Sequence, residues 1–122
     1  MTVVQYRALV LLASRGDLNV GMLADALDIH QSTATRLCDR LVAKGLVDRH
    51  SSTESRRETV VALTPAGRAI IRTVTDRRRS DIRKIMARLR PAEREQVATA
   101  FKMFAEAAGE VPDEAWRLGW TA

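Results

Sequence analysis

Residues 19–45 read NVGMLADALDIHQSTATRLCDRLVAKG, and the pattern of apolar residues in this segment indicates the fold. Apolar side chains recur at spacings of three and four in two blocks, Asn19 to Leu27 and Gln31 to Lys44, as in amphipathic helices. Three residues separate the blocks, and Gly45 follows the second. Two short helices joined by so tight a turn predict a helix-turn-helix. The residues expected to pack its helices together are Leu23, Ala24, Leu27, Ile29, Ala34, Leu37 and Leu41.

The second helix of this pair has two chemically different faces. At about 100° per residue, its apolar side chains fall on one side and its short polar and basic side chains on the other. The polar face suits a helix in the DNA major groove, because Arg can bond both acceptors of guanine and small hydroxyls allow close approach. An ordinary amphipathic helix with a solvated face would show the same pattern. The candidate DNA-binding residues on this helix are Gln31, Ser32, Thr33, Thr35, Arg36 and Arg40.

Two β-prone segments follow, Leu46 to His50 and Thr59 to Leu63, joined by a polar, turn-rich connection. They predict a hairpin. A hairpin directly after a helix-turn-helix indicates a winged helix, and arginines near its tip suit the negative potential of the minor groove. Arg49, Arg56 and Arg57 therefore join the candidate DNA contacts, although either tip arginine could simply be exposed to solvent.

The remaining pattern is helical. Thr2 predicts the cap of a first helix, and Thr64-Pro65 predicts the start of a long helix whose apolar periodicity continues to Leu89. Pro91 starts a last helix. The expected fold is mainly α with a small β-hairpin wing, a winged helix-turn-helix plus long C-terminal dimerisation helices. We expect residues 1–76 to bind DNA and residues 77–122 to form a helical dimerisation region with a tryptophan-containing tail.

The dimer is expected from the apolar content of this second region. Beyond Arg79 the long helix and the last helix carry more apolar surface than one projecting arm could leave in water. Burial against a second copy of the chain would give a homodimer with an isologous interface. The candidate dimerisation residues are Ile82, Ile85, Leu89, Phe101, Phe104, Trp116 and Trp120.

The charge of the chain is unevenly distributed. The net charge is +5 over 122 residues, but residues 31–90 alone hold fifteen basic and six acidic groups. Such a cationic segment attracts polyanions, of which nucleic acid is the commonest in a cytoplasm. The longest apolar run, Ala8 to Ala13, has six residues, too few for a membrane helix. We therefore expect a cytoplasmic protein without a membrane partner.

Catalytic and metal-binding functions have little support. One cysteine and two histidines cannot supply the four ligands of a structural zinc site, and the sequence has neither a glycine-rich phosphate loop nor a candidate triad. We expect no enzymatic activity, cofactor or metal. Cys38 lies on the apolar face of its helix, where burial would raise the thiol pKa and make the group unreactive.

The order and spacing of several motifs resemble those of the multiple-antibiotic-resistance-regulator (MarR) family. The resemblance covers about residues 2–108 and implies a homodimeric winged-helix regulator that binds double-stranded DNA at a pseudo-palindromic operator and often responds to small phenolic or other aromatic ligands. We expect a repressor. The matching segments are Thr2-Val3-Val4-Gln5-Tyr6, Leu23-Ala24, Thr35-Arg36-Leu37-Cys38-Asp39-Arg40-Leu41, Lys44-Gly45-Leu46-Val47-Asp48-Arg49, Glu54-Ser55-Arg56-Arg57 and Leu63-Thr64-Pro65-Ala66-Gly67.

The sequence departs from the family pattern in the turn, the cap and the wing. Asp28 replaces the usual turn glycine, His30 occupies the usual Ser or Asp cap position, and Ser55 replaces the Asp that usually braces the wing arginine. The resemblance also implies a helix before the Thr2 segment that contributes to the dimer and the ligand pocket, and we expect the dimer to form without it. We expect the tail tryptophans to cover the corresponding area.

Two further functions stay open beside the ligand-responsive repressor. The winged helix could be a protein-interaction module that binds an acidic partner, or the chain could bind DNA constitutively without an effector. If an effector exists, it is expected in the crevice between the winged helix and the long helices, near Tyr6, Val10 and Ile70.

Overall fold

The computed structural model describes residues 1–51 and 58–109. Helices and a small sheet make up this part of the chain, which confirms the predicted fold class. Arg56, Arg57, Trp116 and Trp120 lie outside the described residues. The elements are α1 (Val3–Arg15), β1 (Leu18–Asn19), α2 (Val20–Leu27), α3 (Gln31–Ala43), β2 (Val47–Ser51), β3 (Thr59–Leu63), α4 (Pro65–Met86) and α5 (Pro91–Ala107).

Side-chain caps set the starts of the helices where the sequence predicts them. The Gln5 N–H donates to Thr2 Oγ1 at 3.1 Å, and the Thr2 N–H donates to Gln5 Oε1 at 3.1 Å, which makes a reciprocal capping box at α1. Thr64 Oγ1 accepts from the Gly67 N–H at 3.1 Å at the start of α4. His30 precedes α3 without a side-chain cap, so the first turn of that helix lacks this stabilisation.

The sheet is three-stranded and antiparallel, with strand order β1–β3–β2. Within the wing, which we define as β2, β3 and the residues between them, Val47 pairs with Leu63 and Ser51 with Thr59. The sequence did not predict β1, which pairs Leu18 with Val61. A two-residue strand shows no alternation of polar and apolar residues, and it forms only because the free edge of β3 lies beside it.

The core lies where α1, α2, α3, the sheet and the start of α4 meet. Leu9, Leu23, Leu41 and Ile71 are completely buried there. The start of α4 closely approaches Leu46, the residue before the wing, because a Cβ atom on Gly67 would lie 2.3 Å from the Leu46 carbonyl oxygen. Glycine is therefore required at this crossing.

The long helix α4 has 22 residues and ends at Met86, so the prediction that it continues to Leu89 is wrong. The N–H groups of Arg88 and Leu89 bond to Ile85 and Met86 three residues back, which tightens the chain into a turn ahead of Pro91. No residue of α5 is buried. Among the described helices, none combines the length and apolarity needed to cross a membrane.

Candidate nucleic-acid interface

The exposed face of α3 is the centre of the candidate site. Ala34, Leu37, Cys38 and Leu41 are buried on the opposite face, so packing against the core fixes the rotation of the helix. All six candidates on α3 are consequently exposed together on one polar and basic surface, as the sequence predicts: Gln31, Ser32, Thr33, Thr35, Arg36 and Arg40.

The turn before α3 sets the angle between the two helices. Asp28 has φ 55° and lies in the left-handed region, which Asp enters more readily than most residues. Its substitution for the turn glycine is therefore tolerated. The Ile29 N–H donates to the Ala24 carbonyl at 3.0 Å, and Ala24 itself is 3% exposed. A small residue at this position allows α2 and α3 to cross closely.

Arg49 of β2 is bound to α3. One guanidinium nitrogen donates to the Asp39 carboxylate and lies 3.4 Å from the Thr35 carbonyl oxygen. Arg49 is one third exposed, so it can also face a bound polyanion. Asp39 could not be predicted as the partner of Arg49, because the contact depends on where the hairpin packs. These bonds hold the wing against α3.

A cleft of about 250 Å³ separates the start of α1 from α3. Its walls include Arg36 and Arg40, which places both arginines beside Gln5 at the edge of the polar face. Gln5 is 4% exposed and accepts a hydrogen bond from Lys44 Nζ at 2.9 Å. This role of Gln5 was not predicted, although the Thr-x-x-Gln spacing is a capping-box signal. Gln5 therefore links the start of α1 to the end of α3.

The Cys38 thiol is unsuited to redox chemistry in the folded chain. Its side chain is completely buried, and burial raises the pKa of Cys38 above the ordinary thiol value, with Arg49 lowering it to a smaller extent and Asp39 raising it further. A neutral, buried thiol is a poor nucleophile. Within residues 1–51 and 58–109, no group of three or more His, Cys, Asp or Glu side chains is arranged to hold a metal ion.

The candidate effector residues lie between the winged helix and α4. Tyr6, Val10 and Ile70 are all half-buried, and Tyr6 and Ile70 pack against the core. The Arg78 guanidinium carbon of α4 lies 5.6 Å from the centre of the Tyr6 ring, within cation–π range. An aromatic ring and a cation are thus already paired at this position.

The candidate dimerisation residues that the structure describes lie along the outer half of α4, in the turn after it and on α5. Ile82 and Ile85 are 57% and 59% exposed, and Phe101 and Phe104 are 68% and 72% exposed. Leu89 is half-buried in the turn between the two helices. The described part of the chain therefore leaves a set of large apolar side chains open on both helices.

The chain is similar to known proteins over most of its length. A family model described as the MarR family matches residues 1–59. The HTH-type transcriptional regulator YfiV of Bacillus subtilis is 31% identical over 107 residues, which are 88% of this chain and 67% of that protein. The crystal structure of RV1404 from Mycobacterium tuberculosis superposes with a TM-score of 0.85 at 41% identity, covering 93% of this chain and 77% of the other.

One further similar structure carries information on regulation. BpsR of Bordetella bronchiseptica, whose DNA binding is regulated by 6-hydroxynicotinic acid, superposes with a TM-score of 0.60 at 26% identity. The match covers 86% of this chain and 75% of BpsR. The similarity therefore includes a protein in which an aromatic carboxylic acid controls DNA binding.

Proposed function

The chain belongs to the MarR family of transcriptional regulators, and from this premise we propose that it is a repressor that binds a pseudo-palindromic DNA operator as a homodimer. The observation that carries the proposal is the exposed face of α3, where six polar or basic side chains lie opposite four buried ones. A rigidly packed helix with such a face is what major-groove recognition requires.

The proposal assigns different roles to arginines that carry the same charge. Arg36 contacts a base edge from α3, while Arg40 and Arg49 contact phosphates. Two copies of α3 related by a dimer axis would enter successive major grooves about 34 Å apart. The operator then contains two half-sites roughly one helical turn apart, and its affinity falls steeply with salt because phosphate contacts release counterions.

A random-sequence selection with the full chain tests this function, and a pair of variants on one helix tests the roles. Arg36→Ala is expected to cost about 1–3 kcal/mol of binding and to relax the preference at one position of each half-site. Arg40→Ala removes the same charge, but should weaken binding to all sequences alike and reduce the salt slope by about 1. A selection without a palindromic preference would refute the function.

The wing arginines are part of the same proposal. Arg57→Ala should weaken binding most when the operator flanks are rich in A·T pairs, because their narrow minor groove concentrates negative potential. Arg56→Ala provides the matched comparison at the neighbouring residue. Equal losses on A·T-rich and G·C-rich flanks would assign both side chains to general attraction.

We also propose an aromatic ligand at Tyr6, Val10 and Ile70. Support comes from the half-burial of these three side chains, the cation of Arg78 beside the Tyr6 ring and the regulation of BpsR by 6-hydroxynicotinic acid. A ligand lowers DNA affinity only if it binds better to a dimer with wrongly spaced α3 helices. A thermal-shift screen of aromatic carboxylates, followed by operator binding, tests it, and stabilising compounds that leave operator affinity unchanged would show a DNA-binding protein without an effector.

A further inference from the structure

Asn19 joins three elements of the winged helix. Its Oδ1 atom accepts the Met22 N–H at 2.7 Å and so caps α2, while its backbone pairs with Val60 across the β1–β3 ladder. The amide nitrogen makes a separate contact, since Nδ2 donates to the Glu58 carboxylate just before β3. Asn19 therefore connects the start of α2 to the end of the wing at which Ser51 pairs with Thr59.

Within residues 1–51 and 58–109, this contact and the bonds of Arg49 attach the wing to the helix-turn-helix through side chains. On the β2 side, Arg49 is bound to Asp39 and to the Thr35 carbonyl of α3. On the β3 side, the bond from Asn19 attaches Glu58 to α2. The two attachments lie on the β2 and β3 sides of the wing and hold it to different helices, so together they resist rotation of the hairpin relative to α3.

We infer that Asn19 is a positioning residue for the wing, whose side-chain hydrogen bond to Glu58 orients the hairpin relative to α3 for DNA binding. This inference rests on the proposed function. Capping requires only an acceptor, which Asp, Ser or Thr would supply equally well. The amide donor plays no part in the cap, so substitution can separate the two contributions of this residue.

A matched pair of variants at Glu58 isolates the hydrogen bond. Glu58→Gln and Glu58→Ala remove the same negative charge, but only Glu58→Gln keeps an acceptor for Asn19 Nδ2. We expect full-length Glu58→Ala to bind the selected operator about three- to tenfold more weakly than Glu58→Gln. The loss should lie at the operator flanks in a hydroxyl-radical footprint, while the two variants melt at the same temperature. Equal affinities and equal footprints would overturn the inference.

Asn19→Asp tests the same bond from the other side. The substitution keeps the cap acceptor but places two carboxylates against each other, so it should weaken operator binding without loss of helix content. The double variants Asn19→Asp/Glu58→Gln and Asn19→Asp/Asp25→Asn have the net charge of the original chain, but only the first can form a new bond between positions 19 and 58. Recovery confined to the first supports the inference, and equal recovery in both would assign the effect to charge.

A readout without DNA separates failure of the inference from failure of the proposed function. Hydrogen exchange of the amides in the β1–β3 pair should be faster in Glu58→Ala than in Glu58→Gln, because the attachment beside that pair is lost. Identical exchange would overturn the inference whatever the DNA result. A chain that selects no operator, but shows the exchange difference, would refute the proposed function and retain the attachment.

Discussion

Two parts of this chain differ sharply in how they bury apolar side chains. Every buried residue among those described lies between Gln5 and Ile71, and none lies from residue 72 to residue 109. Leu9, Leu23 and Leu41 are completely enclosed in the first part, whereas Phe104 in the second is 72% exposed. The first part, the winged helix with the start of α4, therefore has its own core, and the second part leaves large apolar side chains exposed.

Helix length explains the difference. At a rise of about 1.5 Å per residue, the 22 residues of α4 extend about 33 Å, and only its first turns reach the core. Ile71 is the last side chain of α4 that is fully enclosed. The outer half of the helix leaves the winged helix, so its apolar residues can be covered only by a different surface.

The largest effect that tests this difference in burial is expected for a substitution in the core. Leu41→Ala should lower the free energy of unfolding by about 2–5 kcal/mol, because it opens a cavity among fully enclosed side chains. The adjacent Val42 is 38% exposed, and Val42→Ala should change stability by no more than about 0.5 kcal/mol. Urea denaturation measures both, and similar losses would show that burial does not separate these neighbours.

A smaller effect is expected on the proposed dimerisation of the chain through its second part. Phe101→Ala should weaken the proposed homodimer by about 1–3 kcal/mol, because an exposed aromatic side chain is a typical interface anchor. Lys102→Ala, at the next position of α5, serves as the control and should leave the dimer constant nearly unchanged. Sedimentation equilibrium decides between them. An unaltered dimer constant in Phe101→Ala would place the contacts elsewhere.

Within the first part, addition of the missing side-chain cap of α3 should stabilise the fold. His30→Ser supplies a hydroxyl for the free N–H groups of the first turn and should raise the free energy of unfolding by about 1 kcal/mol. Thr64→Ala removes an existing cap from α4 and should lower it by a similar amount. Opposite changes in the melting temperatures of the two variants would confirm that side-chain caps stabilise the fold in addition to the core. A lower melting temperature in both variants would show that His30 has another structural role.

The smallest expected effect is a pH dependence from Cys38. Burial raises the pKa of its thiol in the folded chain, so above the ordinary thiol pKa the unfolded chain loses its proton first. The free energy of unfolding keeps its full value below the ordinary thiol pKa. It falls as pH rises above that value, with a slope of at most about 1.4 kcal/mol per pH unit. Urea denaturation at alkaline pH should show this slope, and Cys38→Ala should lack it. An equal slope in Cys38→Ala would assign the dependence to other groups.

Several features of the candidate site could be predicted because they depend on neighbouring residues. Thr2, Asn19 and Thr64 accept hydrogen bonds from N–H groups three positions ahead, so their positions mark the starts of α1, α2 and α4. The division of α3 into two faces follows from its own period. These signals act within one or two helical turns, and no knowledge of the rest of the chain is needed to interpret them.

Other features were decided only when distant segments came together. Lys44 reaches Gln5, and Asn19 reaches Glu58, in each case across 39 positions of sequence. The edge of β3 created β1, and the approach of α4 to Leu46 made Gly67 necessary. Local sequence determined where the helices begin and which face of α3 is polar, because capping and periodicity are short-ranged. The attachments of the wing depended on strand register and helix crossing, which arise only from packing of the whole core.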